Sequence, residues 1–92
     1  MALLSPAEIK SGLGELNKWT YGNDAIHLSV TFDSYMEGIA FVNKLAEAAE
    51  KMNHHPDLTI GWCKVGVTLT SHDQGGVTKQ CVDMAKIVNN IL

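Results

Sequence analysis

The side chains best suited to moving protons in this chain are its four histidines, His27, His54, His55 and His72. A free imidazole titrates near pH ~6.5, so at neutral pH it can both give and accept a proton. A pocket holding several such rings lets one act as acid while another acts as base, which is chemistry for a dehydration or a tautomerisation. Two segments carry the candidates: His54-His55-Pro56, and Ser71-His72-Asp73-Gln74. Proline restricts the residue before it to extended backbone, so the histidine pair lies on a stiff connection. Glu50 stands four residues before His54, one helical turn back, where its carboxylate can orient or charge a ring. His27 falls on the polar parity of a strand pattern and reads as a surface-facing strand residue.

Other chemistries fit less well. A His-His pair before proline is also what a solvated loop looks like, so spacing alone leaves both readings open. Zinc held by His54, His55 and His72 is conceivable, but adjacent residues point differently and the HExxH spacing is missing, so no metal is expected. Ser71 is the one hydroxyl beside a candidate base, with nothing else of a nucleophilic triad in view. Gly75-Gly76 is a turn and not a phosphate-binding loop. Cys63 and Cys81, with 17 residues between them, form no CxxC or metal-ligand pair. They read as free thiols and small fillers in a reducing compartment, which makes the cytoplasm the expected location. Lys51, Lys64 and Lys79 read as solubilising surface charges.

The elements that must position these groups follow from caps and periodicity. Ser5-Pro6-Ala7-Glu8 combines a capping hydroxyl, a first-turn proline and a glutamate that can reach back, predicting a helix from about residue 6 to Leu16. Ser34-Tyr35-Met36-Glu37 repeats the capping-box spacing and opens a longer helix ending near Asn53. Its apolar stripe is expected at Tyr35, Ile39, Val42, Leu45, Ala46, Ala49 and Met52. Thr78 caps a third helix, with Val82, Ala85, Val88 and Ile91 on one face.

Between the first two helices, Ile26, Leu28, Val30 and Phe32 alternate with polar residues, the period of a strand covered on one side. Trp19-Thr20-Tyr21 should pair with it across Gly22-Asn23-Asp24. Leu58, Ile60 and Trp62, then Val65, Val67 and Leu69, predict a second hairpin turning at Cys63-Lys64 with both apolar sets on one face. The fold class expected is therefore α+β: a four-stranded antiparallel sheet with three helices on one face, in the order helix, hairpin, helix, hairpin, helix. Because the two strands of the second hairpin are antiparallel neighbours, its first and last residues lie side by side. His54, His55 and His72 should thus converge at one sheet edge.

Composition bounds the rest. At 92 residues the chain is expected to be one domain, 1–92, and its hydrophobic fraction of 46% against 18% charged residues is that of a globular protein. A net charge of −3 supplies no basic field, which argues against direct nucleic-acid binding and against an anionic membrane surface. The opening Met1-Ala2-Leu3-Leu4 turns polar at once, without the charge and apolar run of a signal peptide, and no stretch is apolar enough to span a bilayer.

Glu50-Lys51-Met52-Asn53-His54-His55-Pro56, then Trp62, then His72, resembles the signature of the pterin-4a-carbinolamine dehydratases, in which E-K-x-x-H-H-P is followed by an aromatic residue and a third histidine. The resemblance extends over most of the chain, including Gly76-Val77-Thr78 before the last helix. It implies loss of water from 4a-hydroxytetrahydrobiopterin to give quinonoid dihydrobiopterin, a step of tetrahydrobiopterin recycling, with no cofactor beyond the pterin substrate. It assigns catalysis to His54, His55 and His72 with Glu50 in support. Substrate contacts are implied for His54 to Pro56 and for Ser71, His72, Asp73 and Gln74, with Trp62 either a pocket wall or a core aromatic. One position departs from the pattern: the family's aspartate three residues after the capping hydroxyl is Cys81 here. The resemblance also implies a homodimer or homotetramer, in keeping with sheet edges that pairing can cover. An alternative it carries is a protein-interaction module, the dimerisation cofactor of a transcription factor.

Overall fold

The computed structural model describes residues 2–14, 16 and 18–92. Its elements are α1 (Pro6–Leu13), β1 (Thr20–Gly22), β2 (Ala25–Thr31), α2 (Tyr35–Met52), β3 (Asp57–Ile60), β4 (Lys64–Leu69) and α3 (Lys79–Ile91). The four strands form one antiparallel sheet in the order β1-β2-β4-β3, so β1 and β3 are its edges. Ile26, Leu28, Val65, Val67 and Leu69 are buried, whereas the alternate residues His27, Ser29, Gly66 and Thr68 are not. That parity places the helices on one face. Phe41 and Leu45 of α2 and Met84, Ala85 and Val88 of α3 complete the core beneath them. No helix among the described residues is long and apolar enough to cross a membrane.

Helix α1 begins as its sequence requires. Ser5 Oγ accepts from the Glu8 amide at 3.1 Å and Glu8 accepts from the Ser5 amide at 2.8 Å, and these bonds hold the Glu8 carboxyl below its usual range. The helix stops at Leu13, earlier than predicted. Gly14 is a poor helix former, and its amide turns back to the Ser11 carbonyl in a tightened last turn. Glu15, inside the predicted span, lies outside the described residues.

The first hairpin turns on two residues, Asn23 and Asp24, both at positive φ (53° and 59°), and Gly22 pairs with Ala25 instead of belonging to the turn. Ser34 caps α2 through the Glu37 amide at 3.2 Å. The buried face of α2 runs through Gly38, Phe41, Leu45 and Ala49. Tyr35 and Ala46 of the predicted stripe are exposed, because the helix turns Phe41 toward Phe32 at a ring separation of 5.5 Å.

The second hairpin is displaced by two residues from its expected register. Ile60 pairs with Val65, and the Gly61 amide donates to the Lys64 carbonyl, so Trp62-Cys63 form the turn. A two-residue shift preserves side-chain parity, so Leu58 and Ile60 remain on the face of Val67 and Val65. The register also sets Thr59 opposite Gly66, where a β-carbon would come within 2.4 Å of the Thr59 hydroxyl. Trp62 consequently stands at the hairpin tip, 82% exposed, and not in a strand.

Candidate active site

The pairing of Asp57 with Thr68 puts the start of β3 against the end of β4. Whatever precedes β3 therefore meets whatever follows β4. These are the two histidine segments, and they border a cleft of about 470 Å³. Met52, Asn53, His54 and His55 line it from one side and Thr70, Ser71, His72 and Asp73 from the other, with Gln80 of α3 also on its lining.

Local backbone geometry separates the adjacent histidines. Asn53 takes the left-handed conformation (φ 51°) beyond the last turn of α2, its amide bonded to Glu50 and the His54 amide to Ala49 at 3.1 Å. This six-to-one and five-to-two pairing ends the helix and fixes the His54 backbone. His54 is turned inward, only 8% exposed, and its Nε2 has no partner among the described residues. Burial, then the neighbouring His55, push the His54 pKa below its ordinary value; Asp73 opposes them and His72 adds to them. Burial thus favours the neutral form of this ring.

His55 and His72 face outward, each beside a carboxylate. His55 Nε2 lies 2.9 Å from Glu50 Oε2, and His72 Nε2 lies 3.4 Å from Asp57 Oδ2. A carboxylate only accepts, so His55 Nε2 donates to Glu50 and its Nδ1 is presented elsewhere, while the longer His72–Asp57 contact is an ion-pair distance. Exposed pairs of this kind orient side chains more than they stabilise the fold. His27 is away from the cleft, on the open face of the sheet. Its Nε2 donates to the Gly22 carbonyl at 2.9 Å and its Nδ1 accepts from Thr68 at 3.1 Å.

Of the residues expected at the site, His54, His55, Ser71, His72 and Asp73 border the cleft, and Glu50 joins through His55. Pro56 is half-buried beside it without lining it, and Gln74 is exposed with its amide toward Asp73. Trp62 is not brought to the cleft: the hairpin turn lies at the other end of β3 and β4, about 17 Å away at strand spacing. The sequence reading missed Thr70, Asn53 and Gln80. The Gln80 amide donates to the Met52 carbonyl at 3.1 Å, tying α3 to the end of α2. A contact between residues 28 apart has no local sequence signal.

The loop carrying His72 is closed on Ser71. The Ser71 carbonyl accepts from the Gln74 and Gly75 amides at 3.0 and 2.8 Å, and its own amide donates to Gly76 at 2.8 Å. Gly75 takes φ +77°, which accounts for glycine there. Among the described residues, no three acidic, thiol or imidazole side chains converge closely enough to hold a metal ion.

Comparison with known proteins identifies the family. The sequence profile described as pterin 4 alpha carbinolamine dehydratase matches residues 2–91. A Thermosynechococcus vestitus protein provisionally named pterin-4-alpha-carbinolamine dehydratase is 44% identical over 96% of this chain and 93% of its own length. A Mycobacterium avium protein of the same provisional name is 39% identical over 100% of this chain and 98% of its own length. The crystal structure of a transcriptional coactivator/pterin dehydratase from Brucella melitensis superposes with a TM-score of 0.92 at 33% identity, covering 97% of each chain. A pterin dehydratase-like RuBisCO assembly factor of the alpha-carboxysome shares the fold at a TM-score of 0.66 and 22% identity, covering 79% of this chain and 84% of its own. With a profile match over nearly its whole length and close relatives of equal size, the chain belongs to the pterin 4 alpha carbinolamine dehydratase family.

Proposed function

We propose that this chain removes water from 4a-hydroxytetrahydrobiopterin, giving quinonoid dihydrobiopterin by histidine acid/base catalysis. The reaction breaks the C4a–O bond, forms the C4a=N5 double bond, and transfers one proton to the leaving hydroxyl while another leaves N5. The observation that carries this reading is one cleft bordered by three imidazoles, His54 and His55 from one side and His72 from the other, with His54 buried and its Nε2 without a partner among the described residues. A ring kept neutral by burial suits the base that takes the N5 proton. His72 and His55, oriented by Asp57 and Glu50, suit delivery of a proton to the departing oxygen. Ser71 and Asp73 border the cleft where a flat ring would sit, and both are assigned to substrate contact, Ser71 through its backbone because its hydroxyl is bonded to Thr78. Following dehydration of a synthetic carbinolamine with wild type, His54→Ala and His72→Ala tests the assignment. Rates unchanged by both substitutions would sink it.

The same reading includes self-association as a homodimer or homotetramer in the cytoplasm. It is supported by the unpaired edge of β3 and by Ile60 and Trp62, which are 48% and 82% exposed. Light scattering that gives a monomer at micromolar concentration would remove it. A second reading, an interaction module for a transcription factor, draws on the coactivator description of the Brucella melitensis relative. A dehydratase rate no greater than the spontaneous one would move the weight to that reading.

A further inference from the structure

Ser71 holds the His72 loop with its backbone, but its side chain turns away from the cleft and into the protein. Its Oγ lies 2.8 Å from Thr78 Oγ1 and 3.5 Å from Cys81 Sγ, and Thr78 Oγ1 lies 3.8 Å from the same sulfur. All three residues are buried, Thr78 and Cys81 completely. Thr78 is the N-cap of α3, with the extended backbone (φ −118°, ψ 173°) from which a capping hydroxyl ordinarily accepts an amide of the first turn. It makes no such bond. No acidic side chain occupies the first turn in compensation. The helix forgoes a cap and the hydroxyl is committed to Ser71.

We propose that Ser71, Thr78 and Cys81 are positioning residues for His72: a buried latch of two hydroxyls and a thiol that ties the histidine loop to the first turn of α3. The hydroxyl pair is the strong link, since sulfur makes long and weak hydrogen bonds. Thr78 also receives the isolated bridge from Leu3, and Gly76 packs against the Leu3 side chain, so the latch sits where three chain segments meet. Its catalytic consequence rests on the dehydratase reading above, while its conformational consequence stands apart from it.

The experiment is Thr78→Val, which keeps the branched side chain and removes the hydroxyl, with Thr78→Ser as the conservative rescue. Native-state hydrogen exchange should accelerate about tenfold at the Ser71 and Gly75 amides, the factor that one lost hydrogen bond supplies. The Val67 amide of β4 and the Val88 amide of α3 should keep their wild-type rates. The turnover number for carbinolamine dehydration should fall by about tenfold with a smaller change in KM, as for a misplaced proton carrier. Thr78→Ser should restore both readouts, and Cys81→Ala should move them less. Ser71→Ala removes the other half of the same pair and carries the same expectation should Thr78→Val not fold. Unchanged loop exchange, or acceleration spread equally over β4 and α3, would overturn the latch. A wild type without dehydratase activity would defeat the functional reading alone, because the exchange pattern still decides the latch.

Discussion

Replacing His54 by leucine should separate stability from activity, because the residue combines deep burial with an unsatisfied nitrogen. His54 is 8% exposed and its Nε2 has no partner among the described residues. A buried polar group left unpaired costs about 1–3 kcal/mol, and a leucine of similar size removes that group at a repacking cost of up to about 1.5 kcal/mol. The expected balance at about pH 7.5 is a variant as stable as wild type or more stable by about 1 kcal/mol, equivalent to roughly 4–8 °C in Tm for a domain this small. Acid should widen the difference. Burial lowers the folded-state pKa of His54, so the unfolded chain binds the proton more readily. Wild-type stability from this group is therefore complete above about pH 6.5 and is lost as pH falls below it, at a ceiling of about 1.4 kcal/mol per pH unit. The leucine variant has no such loss. Thermal unfolding at fixed protein concentration, at about pH 7.5 and about pH 5.5, reads both effects. Dehydratase turnover should meanwhile drop about 10²–10⁴-fold, the usual worth of a positioned acid or base. A variant that is less stable by more than about 1 kcal/mol at neutral pH, with a gap that does not grow in acid, would refute the reasoning.

Three further outcomes test the fold that presents the site. Gly66→Ala should cost about 1–3 kcal/mol in urea unfolding, because its new methyl meets the Thr59 hydroxyl, and Thr59→Ala in the same chain should recover most of the loss. Ser34→Ala removes the cap on the Glu37 amide and should lower stability by about 1 kcal/mol, measured the same way. Trp62→Ala, at an 82% exposed tip, should leave the stability of the folded unit within about 0.5 kcal/mol while weakening self-association in sedimentation experiments.

The parts legible in the sequence are those decided by neighbours along the chain. Ser5, Ser34 and Thr78 mark the three helix starts, and alternating apolar residues mark β2 and β4, since caps and parity are local physics. The register of the second hairpin was not legible, because turns at Trp62-Cys63 and at Cys63-Lys64 put the same apolar residues inward. The fit of Thr59 over Gly66 separates them, and it exists only once the strands are paired. That is why Trp62, expected to end a strand as a pocket wall or a core aromatic, stands at a tip. At the site, the meeting of His54 and His55 with His72 followed from antiparallel neighbours, but their unlike environments did not. The left-handed Asn53 turns His54 inward and leaves His55 in solvent beside Glu50. Gln80 and the Ser71-Thr78-Cys81 cluster depend on tertiary contacts of α3 and left no mark on local periodicity.

The central claim is that three imidazoles from two hairpin ends carry a dehydration. Its most direct test is the rate of water loss from a synthetic 4a-hydroxytetrahydropterin, with wild type compared with His54→Ala, His72→Ala and the uncatalysed reaction. A wild-type rate well above the spontaneous one, falling about 10²-fold or more in each variant, is the predicted result. A wild-type rate equal to the spontaneous one, or full activity retained in both variants, would contradict it.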